Sequence, residues 1–186
     1  MTHPLSDLVA KINHPAFRKL TERALENAPA AFWTAPASTS GKYHPADSLG
    51  RGGLVRHTRK VFRLTLDLLN MHGIEPDNTR HSIALSAALL HDTRKVTDEA
   101  DHSNFEHPLR AAETVGELLA KEFEPDAITT LEGSLLCQAI RSHMGRWTTS
   151  KYSSYSLPAP ESQLDHIVHT ADYLASRKHI TLLPES

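Results

Sequence analysis

His91 and Asp92 stand side by side at the end of an apolar run, Ser82 to Leu90. Helical rotation is about 100° per residue, so an adjacent His-Asp pair aims an imidazole and a carboxylate at one region from one helix. A run this apolar is expected to be buried, and an ionised Asp buried without a partner is costly unless a cation or a dense set of hydrogen bonds compensates it. The other histidines supply candidate partners. His57 recurs with Val61, Leu64 and Leu68 at helical spacing, His143 shares a face with Leu136, Ala139 and Ile140, and Asp172 falls with Val168, Ala171 and Ala175. One inward histidine is ordinary core, hydrogen-bonded and unremarked. Inward His or Asp residues on four separate helices are different, because a divalent cation satisfies all of them together through nitrogen and oxygen ligands.

The order His57, then His91-Asp92, then a distant Asp172 resembles the signature of the HD-domain metal-dependent phosphohydrolase superfamily, over a span from about Trp33 to Lys178. Two shorter stretches extend the resemblance. Pro36-Ala37-Ser38, Lys42-Tyr43-His44 and the run Gly52 to Thr58 around His57 look like the segment that precedes the first ligand in HD-domain 3'-to-5' exoribonucleases. Leu90 to Lys95 places a Lys where HD phosphodiesterases, including the HD-GYP type, carry His-Asp-x-x-Lys. The resemblance implies a first metal held by His57, His91, Asp92 and Asp172. Dinuclear members add two histidines, which His107 and His143 match, so a second metal would be held by Asp92 as bridge, His107 and His143. These members often carry a His-His pair at the second place, where this chain has Met144. The expected cofactor is one or two divalent transition ions, drawn from Mn, Fe, Ni, Co or Zn. Pro108 suits a first helical position, which puts His107 at a helix start.

Lys95 stands four residues after His91, a spacing that brings its ammonium to the same opening without making it a ligand. It is the expected phosphate or leaving-group donor, alongside Asp92 as the central catalytic carboxylate. Arg51, Arg56, Arg94 and Arg146 lie near ligands in sequence and suggest an anionic substrate, with solvated surface charge as the alternative for each. Trp147, Lys151 and Tyr152 interleave aromatics with cations, as stacking on a base and contact with its phosphate require, although they could equally cover the end of the bundle.

The helical periodicity and the resemblance together imply an all-α, single-domain HD-type helical bundle. Strand signals are absent, no linker divides the 186 residues, and the domain is taken as 1–186 with its core at about 33–178. Helices are expected at 6–11, 14–28, 53–71, 78–90, 107–123, 125–142 and 161–178, with long loops at 34–53 and 145–161; loops of that length in a compact domain usually serve function. A formal charge of −2 argues against tight binding to duplex nucleic acid. The lone Cys137, among Leu135, Leu136 and Ile140, reads as packing in a reducing compartment. Neither a signal peptide nor an apolar span is visible, so a cytoplasmic protein with no membrane partner is expected. The expected activity is hydrolysis of a phosphoester in a nucleotide, cyclic nucleotide or short oligonucleotide. Two alternatives follow from the same resemblance: a di-iron oxygenase, against which Lys95 counts, and a non-catalytic nucleotide-binding protein, against which the intact ligand set counts.

Overall fold

A computed structural model describes residues 3–38, 41–97 and 104–180, so the expected span of 1–186 reaches beyond it at both ends and the loop at 34–53 includes Thr39 and Ser40 outside it. The described residues form an all-helical bundle with no strand: α1 (Ser6–Val9), α2 (Pro15–Glu26), α3 (Ala30–Thr34), α4 (Gly53–Met71), α5 (Thr79–Leu90), α6 (His107–Glu122), α7 (Thr130–Arg141) and α8 (Gln163–Ala175), with a short 3-10 turn at Ala46–Ser48. None of these helices is long and apolar enough to cross a membrane.

Helix α5 runs through the centre. Every residue from His81 to Leu90 is buried, as an element apolar on all sides must be. Around it pack α2, α4, α7 and α8, while α6 closes against α7 and α2. Amphipathic α4 turns Leu54, His57, Val61 and Phe62 inward, so that its first ligand is part of the core stripe.

Two helix starts and one additional helix depart from expectation for local reasons. Helix α7 starts at Thr130 rather than Pro125, because Thr129 and Glu132 form a reciprocal capping box, the Glu132 carboxylate accepting from the Thr129 amide at 2.8 Å. Ser162 and Asp165 do the same for α8, which therefore starts at Gln163. Pro29 ends α2 as expected but also precedes α3, whose extended N-cap angles (φ −55°, ψ 149°) start a new helix at once.

The long loop before α4 is stapled to that helix. The Ala37 amide donates to Ser48 O at 2.9 Å, that of Gly52 to Thr34 O at 2.8 Å, and that of Leu54 to Ala35 O at 2.9 Å. A Cβ on Gly53 would lie 2.1 Å from Ser48 O, so only glycine lets the loop pass this close. The consequence reaches the site: the loop returns Tyr43 and His44 over the end of the bundle where α4 presents His57, and Lys178 donates its amide to Tyr43 O at 2.8 Å.

Candidate metal centre

Five side chains, from five helices and their ends, gather around Asp92. One carboxylate oxygen, Oδ2, lies 3.7 Å from His57 Nε2 and 3.4 Å from His91 Nε2. Asp172 Oδ1 joins the same group at 2.9 Å from His57 Nε2 and 3.8 Å from His91 Nε2. The other oxygen, Asp92 Oδ1, lies 2.9 Å from His107 Nε2 and 3.6 Å from His143 Nε2. Two compact groups result, His57–His91–Asp92 and Asp92–His107–His143, all buried. Metal–ligand bonds of about 2.1 Å put neighbouring ligand atoms about 3.0–3.4 Å apart in octahedral or tetrahedral geometry, and both groups are close to that scale.

The histidine tautomers are set by backbone. His91 Nδ1 lies 2.9 Å from Ala88 O, His107 Nδ1 2.6 Å from Asn104 O, and His143 Nδ1 2.7 Å from Ile140 O. A carbonyl accepts only from an N–H, so each Nδ1 carries the proton and each Nε2 presents a lone pair in the neutral ring. His91 and His143 can do this because they sit just past the ends of α5 and α7, where the last carbonyls lack helical partners. His107 and His143 then face each other Nε2 to Nε2 at 3.1 Å. Two lone pairs at that distance beside a carboxylate repel unless a cation lies between them. His91 Nε2 and Asp92 Oδ1 are moreover buried without any hydrogen-bond partner, a cost that coordination removes. The donor set therefore fits a divalent transition metal at each group.

Charge balance agrees. Burial drives the Asp92 pKa upward, but Lys95 and the surrounding imidazoles outweigh it and hold the carboxyl well below the usual range. Asp172 is likewise ionised, burial being outweighed by His57. Burial lowers the pKa of His57 and His107, keeping them neutral, whereas for His91 the attraction of Asp92 exceeds the cost of burial and raises it.

Lys95 reaches the cluster by a route other than the expected spacing from His91. The chain leaves α5 at Leu90 and turns, the Lys95 amide donating to Asp92 O at 3.0 Å and its ammonium to Asp92 Oδ2 at 2.7 Å. Burial lowers its pKa, yet Asp92 and Asp172 more than compensate and keep it charged. A cavity of about 940 Å³ opens directly above and is lined by Lys95, His107, Asp172, His44, Met144 and Trp147 among others.

Of the expected substrate-contacting residues, the structure brings Arg146, Trp147 and Tyr152 to this cavity. It does not bring Arg51, Arg56, Arg94 or Lys151 to its wall. Arg51 is exposed on the turn before α4. Arg56 donates to the carbonyls of Asp47 and Leu49 and ties down the loop, while Arg94 turns to Thr114 Oγ1 on α6 at 3.1 Å. Lys151 lies outside, over the Tyr152 ring at 4.8 Å. Proximity in sequence did not become proximity in space, because each of these side chains leaves its backbone away from the cluster.

Sequence reasoning assigned no role to His44, Tyr43, Tyr173 or Arg177, all of which line the cavity. His44 packs edge-on against His57 with ring centroids 5.3 Å apart, and burial pushes its pKa down to about 4. Tyr173 and Arg177 are four residues apart, a helical spacing that signals their mutual contact, although neither shares the face of Asp172. His169 supports the second group from behind: its Nδ1 donates to His143 O at 2.8 Å, and its ring occupies the space that a Cβ on Gly145 would need.

The family model of the HD domain matches residues 54–177, well over half of the chain. No curated protein and no solved structure matches.

Proposed function

The chain belongs to the HD-domain family, and from that premise we propose that it is a dinuclear metal-dependent phosphohydrolase acting on a nucleotide phosphoester, with His57, His91, Asp92 and Asp172 holding one ion and Asp92, His107 and His143 the other. The observation that carries this reading is Asp92, whose two oxygens address the two histidine groups separately, the arrangement needed for one carboxylate to bridge two ions. When bound, such a pair of ions lowers the pKa of water and neutralises charge on a phosphoryl group.

The chain's own residues supply the rest. Asp92 and Asp172 keep the centre anionic, and the backbone carbonyls of Ala88, Asn104 and Ile140 hold three imidazoles in the ligating tautomer. Lys95, charged and facing the cavity, is placed to donate an N–H to a phosphoryl or leaving oxygen, a contact that strengthens as negative charge develops. His44 and Met144 form part of the cavity wall beside Lys95 and Asp172.

The test is hydrolysis of bis(p-nitrophenyl) phosphate and of a nucleotide panel by metal-reconstituted protein, with metal content measured in parallel. Release of nitrophenol or phosphate that depends on two ions per chain is the expected result. Iron with oxygen consumption and no phosphoester turnover would support the oxygenase alternative, and full metal occupancy without any turnover would support a binding protein.

A further inference from the structure

The rim of the cavity carries a chemistry that the metal centre does not use. Trp147 stacks on Tyr173 with centroids 5.8 Å apart and an interplanar angle of 17°. The Arg177 guanidinium lies 4.3 Å from the Tyr173 ring centre and 5.2 Å from that of Tyr43, and Arg146 lies 4.9 Å from that of Trp147. Lys151 covers Tyr152 in the same way at 4.8 Å. Despite these contacts Trp147, Tyr43 and Tyr152 are 39%, 51% and 83% exposed. Three ring surfaces kept wet along one rim, each beside a cation, contribute little to a core.

The charges are uneven between the inside and the rim. Lys95 is balanced by Asp92 at 2.7 Å, and Arg110 faces Glu106 at 3.7 Å. Arg177 donates only to Ser176 Oγ and Tyr173 O, and among the described residues no carboxylate pairs with it or with Arg146. Two guanidinium groups without an acid, beside exposed aromatic rings, are the elements of a site for a further phosphate and base.

Resting on the phosphoester reading above, we propose that this rim is a subsite for the neighbouring nucleotides of a single strand, with bases on Trp147, Tyr43 and Tyr152 and a non-scissile phosphate at Arg177 and Arg146. The substrate class is thereby a single-stranded oligonucleotide rather than a mononucleotide: one base needs one ring, and the rim presents three. Trp147 and Arg177 determine length preference without touching the reacting phosphoryl group.

The experiment is fluorescence anisotropy of end-labelled oligothymidylates of one, three and six residues, carrying phosphorothioate linkages that resist hydrolysis, with the metal-loaded protein. Affinity is expected to rise about thirtyfold or more from one residue to three and to weaken with added salt. Trp147→Ala and Arg177→Met should each weaken the trinucleotide about tenfold while shifting the mononucleotide less than threefold; Met keeps an apolar stem against Tyr173, and exposed Arg146→Ala serves as a second charge variant. Equal affinity at all lengths, or thymidine diphosphate binding as tightly as the trinucleotide, overturns the subsite. Because binding is read without turnover, an inactive protein that still prefers longer strands contradicts only the hydrolase reading, and an active hydrolase blind to length contradicts only the subsite.

Discussion

The two halves of the centre share Asp92 and each add a pair of histidines, but they differ in the charge around them. The half formed by His57 and His91 has a second carboxylate, Asp172, 2.9 Å from His57 Nε2, and the ammonium of Lys95 leaning on the shared oxygen. The half formed by His107 and His143 has imidazoles alone on its side of Asp92, both fixed by backbone carbonyls and only 3.1 Å apart. A carboxylate within the ligand group attracts a dication more than an ammonium outside it repels, so on the proposed reading the first half should bind its ion more tightly and the second exchange it more readily. On the proposed dinuclear reading, one bridging carboxylate would thus support a resident ion and a replaceable one.

The largest effect is expected from Asp92→Asn, which removes the only group common to both halves. Metal content should fall toward zero and turnover by about a thousandfold or more, since several kcal/mol of charge stabilisation disappear. Retention of one ion would show that the halves are independent and break the comparison.

Next come His107→Ala and His143→Ala, which delete only the second half. Each should reduce elemental analysis from two ions to one per chain and slow turnover by about a hundredfold, as loss of one of two clamping ions implies. If either variant loses both ions, the proposed order of affinity is wrong.

Lys95→Ala should leave both ions bound and lower the turnover number about ten- to a hundredfold while changing KM less, the mark of a group used chiefly in the transition state. Steady-state kinetics with metal analysis check this. Tighter binding of the first ion without loss of rate would instead make Lys95 a counter-charge for Asp92.

The smallest effect concerns pH in the chelated protein. Burial depresses the pKa of His44, His57, His81 and His107, so their contribution to stability is full above the unfolded value of about 6.5. It is lost as pH falls below that value toward the folded ones, which for His44 is about 4. His91 is raised and opposes the trend, adding stability below its unfolded value. The melting temperature should therefore drop by about 5–10 °C between pH 7.5 and 5. His107→Ala should flatten this slope and His91→Ala steepen it, a further contrast between the halves.

Much of this centre is legible in the chain. His57, His91, Asp92, His107, His143 and Asp172 all stand in the cluster: periodicity places His57, His143 and Asp172 on inward helix faces without knowledge of their neighbours, His91 and Asp92 end an apolar run, and His107 came from the family resemblance. The helices themselves follow from their apolar stripes, and even the misplaced start of α7 was written in Thr129 and Glu132. What escaped was directional: Arg56 and Arg94 lie beside ligands in sequence but bond to the 46–49 loop and to α6.

By itself, then, the sequence determined which residues could be ligands, their helices and the all-α class, since these depend on residue type and on spacing within one element. Only the tertiary structure decided that Asp92 splits its oxygens between two groups, that Lys95 pairs with Asp92 through a turn, and that Tyr43 and Arg177 meet although 134 positions separate them. Such relations depend on how helices pack and where loops return, and spacing along a chain carries no distance between elements that are remote in it.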